Sequence, residues 1–409
     1  DLNIDTNIRF DKIIKKDSNE ILIGKNLGNK EILIRYLIPE DSYSITREII
    51  VKNNSSKNFI FRFFEESIGE VLAQEYYDFG YYNGDEVENI DSTPSEPKKE
   101  IDDISWFGFS KKYFLVANLI ETAGEKTLKY EKKSTNLLRT VVSHKTINLL
   151  GNGQYSMVSD IFLGPKDYKI LSQYGSLEKA HDLGWFDWLA SPLEQLLNFS
   201  NKYIKNYGIA IIIITILIRI LFLPLTVKSM MSMKKMQSKM ALLKPKLDEI
   251  KEKFKDDKST QNSEIMKLYS KEGMNGLSSL SGCLPMLILL PVFVALYNVL
   301  LYSLDLRHTS FLWISDLSSP ENLFDIFGIP FRALPLIMGI SWYITQKMTP
   351  PNPGADEFQT KIFQYMPILF TVMFWGLPSG LILYWTISNI ISIFQQIYIN
   401  QKFKRMQGA

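Results

Sequence analysis

Residues 207–227 read YGIAIIIITILIRILFLPLTV, a run of 21 residues apolar and long enough to cross a bilayer, with a single arginine, Arg219, inside it. A charge at membrane depth is expensive and faces a bundle interior or a wet cavity rather than lipid. The segment therefore demands both a helical bundle around it and an explanation of its charge.

The 409 residues divide into two unlike halves. Runs at 30–38 (KEILIRYLI), 43–52 (YSITREIIVK), 57–65 (KNFIFRFFE), 112–120, 137–142 and 154–163 are short, rich in β-branched and aromatic residues, and separated by turn-forming residues, which predicts strands. Residues 83–104 carry two prolines and few apolar groups, and are expected to form a long exposed loop. Many strands without intervening helical patterns predict a β-sandwich over residues 1–183. The only cysteine, Cys283, excludes an internal disulfide and reads as a small apolar residue near a span. His144 and His181 are isolated and expected to be structural.

Residues 184–204 (GWFDWLASPLEQLLNFSNKYI) space Trp185, Phe186, Trp188, Leu189, Leu193, Leu196, Leu197 and Tyr203 at helical intervals, with Asp187, Glu194 and Lys202 between them. An amphipathic helix at the membrane interface is expected there; the alternative is a helix packed on the β-domain. Five candidate spans follow: 207–227, 283–303, 332–348, 363–378 and 380–399, the third and fourth short for an ordinary bilayer. Segment 228–272 holds 12 lysines and 7 acidic residues, whereas 304–331 holds one basic residue, Arg307, and four acidic ones. By the positive-inside rule, 228–282, 349–362 and the basic tail 401–409 are cytoplasmic, and the β-domain and 304–331 external. The chain begins at Asp1 without a signal-peptide pattern, so export of the first half leads us to expect a further span upstream.

Residues 230–258 and 261–274 predict two helical arms joined at DDKST (256–260), within a cytoplasmic hairpin spanning 228–275, with Pro245 interrupting or kinking the first arm. Met230, Met231, Met233, Met236 and Met240 crowd the base of that arm, either as membrane-edge packing or as an adaptable surface for varied apolar segments. Three roles fit Arg219: a buried ion pair, a small-anion site, or attraction of an acidic segment of another protein. The other four spans contain no acidic residue but do contain Asn298, Ser341, Thr345, Ser388 and Asn389, which favours a wet cavity over an ion pair. Composition does not choose between anion and peptide. The sequence shows no His/Cys cluster, no paired-carboxylate signature and no glycine-rich phosphate loop, so neither an enzyme nor a metal or cofactor is expected.

Several segments together resemble the YidC membrane protein insertases: NYGIAIIIITILIRILFLPLTVKSMMSMKKMQ (206–237), KPKLDEIKEKF (244–254), GCLPMLILLPVFVALYNVL (282–300), LDLRHTSFLWISDLS (304–318), QKMTP (346–350) and MPILFTVMFWGLPSGLILYWTISNIISIFQQ (366–396), with FLGPKDY (162–168) and DLGWFDWLASPL (182–193) upstream. The resemblance implies a periplasmic supersandwich-like β-domain followed by a five-helix membrane core in the bacterial inner membrane, with a cytoplasmic C-terminus. It implies a protein that inserts newly made membrane proteins, alone or with the Sec translocon, through a hydrophilic groove open to cytoplasm and lipid. Arg219 matches the groove arginine and would attract an acidic residue of the client. The exit path would run along 291–297 and 366–375, with Pro291, Val292, Met366, Phe370 and Met373 as contacts. The hairpin, with Met233, Met236, Met240, Lys244 and Pro245, would receive clients and meet signal recognition particle, its receptor or the ribosome. No direct nucleic-acid role is implied. A small-anion or lipid transporter is the competing reading, and the internal span repeats common in transporters are not found. A third, an anchored sugar-binding or structural β-domain, leaves the span motifs unexplained.

Overall fold

A computed structural model of the chain describes residues 12–71, 78–90, 98–120, 126–271, 284–349 and 357–407. It divides into two units, Asp1–Asp182 and Leu183–Ala409. Cys283 lies outside the described residues.

The first unit is rich in β-sheet. Its strands are β1 (Lys12–Lys16), β2 (Glu20–Leu27), β3 (Lys30–Leu37), β4 (Ser44–Asn53), β5 (Phe59–Phe61), β6 (Phe64–Glu70), β7 (Asp78–Tyr82), β8 (Val87–Ile90), β9 (Lys98–Asp102), β10 (Trp106–Ser110), β11 (Phe114–Leu119), β12 (Thr127–Ser134), β13 (Leu137–Ser143), β14 (Ile147–Leu149) and β15 (Gln154–Pro165). A nine-stranded sheet runs β1-β2-β3-β4-β15-β11-β10-β7-β8, and a four-stranded sheet runs β6-β13-β12-β9. Alternation explains how both are buried. In β13, Leu138, Thr140 and Val142 point inward while their neighbours are half-exposed. Phe79, Tyr81 and Phe107 of the large sheet meet Leu128, Tyr130, Leu138 and Val142 of the small one in a single apolar cluster. On the opposite face, Tyr82, Trp106, Leu115, Ala117 and Phe162 are covered by Leu171 and Leu177. Those two come from a short helix α1 (Tyr168–Leu171) and a 3-10 turn, Leu177–Ala180.

The expected loop at 83–104 is corrected. It contains β8 and β9, and Ile90, Ile101 and the buried Ile104 join the apolar cluster between the sheets. Its few apolar residues are placed where a strand needs them, which a low average conceals. The expected single strand at 57–65 is two, β5 and β6, which pair with β14 and β13 respectively. Strands β1, β2, β7, β10 and β12 were not anticipated. In the β-rich unit, His144 is buried with its Nε2 2.7 Å from Glu65 Oε1, and His181 Nδ1 lies 3.0 Å from the Lys166 carbonyl oxygen, structural contacts in each case.

The second unit is helical: α2 (Asp187–Ile204), α3 (Tyr207–Leu221), α4 (Leu223–Lys253), α5 (Lys258–Lys271), α6 (Leu284–Tyr302), α7 (Ala333–Met348), α8 (Glu357–Met373) and α9 (Ser379–Gln407). In α2, Ala190, Leu193 and Leu197 are buried among the bundle helices, whereas Trp188 is 71% exposed and Trp185, just ahead of the helix, 96% exposed. The expected single apolar stripe is therefore split, one part packing on protein and the tryptophans facing outward.

Helix α3 does not continue through 227 as expected. It ends at Phe222, and α4 leaves at 58°. Pro224 sits in the first turn of α4, where it has no N–H to give to the Ile220 carbonyl, so the ladder breaks just ahead of it. Pro245, by contrast, does not interrupt α4, which runs unbroken from Leu223 to Lys253. Pro245 and Ala241 are both exposed, so water can satisfy the carbonyl that the proline leaves without a donor. Helices α4 and α5 form the expected hairpin, turned at Asp257, whose carboxylate accepts from the Ser259 and Thr260 N–H groups.

The connection between α6 and α7 is bound to the start of α9. Ser379 and Gly380 donate their N–H groups to the Ser319 and Leu317 carbonyls, each at 2.8 Å. It also covers the start of α3, where a Cβ on Gly208 would fall 2.1 Å from the Phe311 ring, so only glycine fits. By length and composition, α9 through Met406 can cross a membrane among the described residues, and α3 with α4 counts as a second if the bent pair is one span.

Candidate functional site

Arg219 lies in the last turn of α3, and its side chain reaches α9. Its Nε is 3.4 Å from the Ser388 Oγ, a long hydrogen bond to a neutral partner. Tyr384, one turn earlier on α9, lies close enough to feel its charge. Among the described residues, no carboxylate pairs with Arg219. Arg219 as a residue is half-buried.

On the adjacent face of α9, turned toward α7, Asn389 donates from Nδ2 to the Ser341 Oγ at 3.3 Å and to the Met338 carbonyl at 3.4 Å. Thr345 donates to the Ser341 carbonyl at 2.9 Å. Gln396 is fully buried and holds the Met348 carbonyl at 2.9 Å, while its Oε1 has no partner among the described residues. Thr215, one turn before Arg219 and fully buried, returns its hydroxyl to the Ile211 carbonyl. Polar groups from α3, α7 and α9 thus recur along the helix contacts at intervals of one to two turns. A buried acceptor without a donor, as at Gln396, is the signature of a place where water or a polar guest completes the bonding.

Of the neutral polar residues expected from the sequence, Ser341, Thr345, Ser388 and Asn389 lie along these contacts. Asn298 does not: it donates to the Leu183 carbonyl at 2.7 Å, tying α6 to the chain ahead of α2. Thr215, Tyr384 and Gln396 were missed. Thr215 and Tyr384 are unremarkable in an apolar run, and only the one-turn spacings 215–219 and 384–388 would have singled them out.

The expected exit-path residues fall on two helices. On α6, Val292 is 4% exposed and packs inside the bundle, and Pro291 is half-buried. On α8, Met366 and Phe370 are half-buried, with the Phe370 ring edge-on to Trp342 at 5.0 Å, and Met373 is exposed. Ile368, Leu369 and Val372, within the expected 366–375 run, and Tyr365 just ahead of it make the rest of an exposed apolar face on α8. In the hairpin, Met233 is buried, and Met236 and Met240 pack with Leu243, Leu247, Ile265, Leu268 and Tyr269 between its own arms. Lys244 and Pro245 are exposed.

Residues 199–406 match the family model described as 60Kd inner membrane protein, and residues 22–196 match that of the YidC periplasmic domain. The chain belongs to the YidC family. It is 43% identical over 324 residues to a membrane protein insertase YidC of Pelobacter propionicus, covering 78% of this chain and 58% of the relative. With the YidC of Syntrophus aciditrophicus it shares 44% identity over 326 residues, 78% of this chain and 57% of the relative. The chain thus spans a little over half the length of the curated YidC relatives it matches. Among solved structures, an active YidC insertase with its first transmembrane domain resolved is similar over 94% of this chain and 78% of that one, at 21% identity and a TM-score of 0.41. The Arg219 site and the polar contacts beyond it lie wholly within the region matched to the 60Kd inner membrane protein model.

Proposed function

We propose that this chain is a membrane protein insertase of the bacterial inner membrane, and that Arg219 is the point at which it engages its clients. The observation that carries the reading is the guanidinium of the half-buried Arg219 between α3 and α9, facing hydroxyls rather than a carboxylate. A resident acid would neutralise it, whereas a hydroxyl leaves the charge available to a transient acidic guest. The polar positions along α7 and α9 let a client's hydrophilic tail enter part of the membrane thickness. Burial of the client's apolar span in lipid, at about 0.8 kcal/mol per CH₂, then drives release. No nucleotide, metal or catalytic residue is needed for such a partition.

In this reading five spans, including α3 and α6 to α9, form the membrane core. The β-domain, a supersandwich, is periplasmic, α2 lies at the outer interface, and the hairpin of α4 and α5 and the end of α9 are cytoplasmic. Clients would leave along α6 and α8 past Pro291, Val292, Met366, Phe370 and Met373, and would be received at the hairpin. There Met233, Met236, Met240, Lys244 and Pro245 would serve, together with the Sec translocon, the ribosome or the signal recognition particle and its receptor.

The test is insertion of a small single-span client with an acidic external tail into proteoliposomes carrying the purified protein. Arg219→Ala should lower insertion about tenfold, the scale of one charge-assisted contact, and should leave a client with a neutral tail unaffected. Equal insertion of both clients by the alanine variant would remove Arg219 from the mechanism.

A further inference from the structure

Helix α4 packs against α9, with Lys234 of its first half meeting Phe403 near the end of α9, and the two segments share a peculiarity of charge. Residues 223–247 contain Lys228, Lys234, Lys235, Lys239, Lys244 and Lys246, and residues 379–407 contain Lys402, Lys404 and Arg405, with no acidic residue in either. Like charges on neighbouring helices repel, and sequences ordinarily intersperse carboxylates to relieve this. Here the helices bring cations together instead. The Lys234 Nζ lies 5.7 Å from the centre of the Phe403 ring, and Lys234 is held below the usual lysine range by partial burial and by repulsion from Lys404.

Depth along α9 points to the missing anion. This step rests on the membrane reading of α9 given above. A helix rises 1.5 Å per residue, and the hydrocarbon core is about 30 Å thick with headgroups occupying roughly the next 5–7 Å. From Ser379, the first residue of α9, Lys402 and Lys404 come roughly 35–38 Å along the axis, the level of lipid phosphates. The side chains just before them suit the acyl boundary: Phe394, Ile397 and Tyr398 are exposed, and the Lys402 Nζ lies 5.9 Å from the centre of the Tyr398 ring.

We propose that Lys234 of α4 and Lys404 of α9, beside Phe403, bind the phosphate of an anionic phospholipid in the adjoining leaflet, so that a lipid headgroup clamps the base of the hairpin to the end of α9. A nucleic-acid backbone would have to enter the headgroup layer to reach the same cations, which favours lipid.

The experiment is a titration of the purified full chain with phosphatidylglycerol and, separately, phosphatidylcholine, reading the first lipid adduct by native mass spectrometry. Phosphatidylglycerol should bind tighter, and the paired variant Lys234→Gln, Lys404→Gln should weaken it by about fivefold for each lysine removed while leaving phosphatidylcholine unchanged. Lys251→Gln with Lys253→Gln, far along α4, should change neither, and Lys234→Arg with Lys404→Arg should keep the preference. If the glutamine pair does not fold, the arginine pair still tests the site, because its preference must shrink as ionic strength rises. The proposal is overturned if the folded glutamine pair keeps the full preference. It is also overturned if glycerol phosphate displaces the lipid at equal concentration, which would make this a free-phosphate site. A third contrary result is loss of ribosome co-sedimentation with the lipid preference intact, which would assign the patch to ribonucleic acid. None of these readouts involves a client, so the inference can fail while the insertase reading stands, and the reverse.

Discussion

Arg219 on α3 and Ser388 on α9 face each other across 3.4 Å, with Tyr384 beside them. A neutral hydroxyl at that distance orients the guanidinium without cancelling its charge. Ser388→Ala should therefore lower client insertion by only about two- to threefold, the lower end of one hydrogen bond's net contribution, because the bond is long, and Arg219→Lys should stay close to wild type. Both are measured by the proteoliposome assay. A Ser388→Ala defect as large as that of Arg219→Ala would show that the hydroxyl does more than orient.

Glu321 is buried in the connection between α6 and α7. It accepts from the Leu334 N–H at 2.6 Å, in the first turn of α7, and from Trp313 Nε1 at 2.5 Å. A carboxylate there satisfies a helix N-terminus and an indole together. Glu321→Ala leaves two buried donors without acceptors and should destabilise the fold by about 1–3 kcal/mol, seen as a lower thermal midpoint in detergent. Glu321→Gln should lose less, since its carbonyl keeps one acceptor.

Exposure separates the two halves of the proposed exit path. A photocrosslinker at Met373, which is exposed, should capture a nascent client during translation, whereas one at Val292, inside the bundle, should do so only if α6 moves. Strong adducts from 292 and none from 373 would reverse the assignment of the client-facing side.

Between the two sheets, Glu65 on β6 meets His144 at 2.7 Å and an ion pair from Arg47 on β4, and Arg47 Nη2 is 2.8 Å from Ser159 Oγ. Burial alone would raise the Glu65 carboxyl, but the His144 contact and the charge and hydrogen bond of Arg47 outweigh it and hold the group below its ordinary 4.5. A folded value below the unfolded one means the contribution is complete above the ordinary value and lost as pH falls through the folded one. The hydrogen-exchange protection factors of β4 and β6 amides in the full chain, referred to the intrinsic rate at each pH, should therefore fall below about pH 4.5. Glu65→Gln should exchange faster at neutral pH and flatten that acid dependence.

Legibility in the sequence followed the strength of each periodic signal. Strands β3, β4, β11, β13 and β15 were readable because their apolar residues are dense. Strands β8 and β9 were not, because Ile90 and Ile101 sit among charges and acquire meaning only when the two sheets close over them. In α2 the helical spacing was plain, yet Leu193 and Leu197 pack inward while Trp188 stays outside, a division that depends on where α3 and α6 lie. For the methionines of α4 the sequence left membrane-edge packing and an adaptable client surface both open, whereas Met236 and Met240 fill the space between the hairpin's own arms.

By itself the sequence determined that a charge lies in an apolar run with no acid in the other apolar segments, and that a β-rich half precedes a helical one, because composition and spacing are local properties. The tertiary structure decided what surrounds the charge. Pro224 and the break at Phe222 end α3 just beyond Arg219, and the packing of α9 brings Ser388 and Tyr384, some 165 residues away in sequence, to its side chain. No local pattern encodes that neighbourhood, because it arises from how the helices bury their apolar faces on one another.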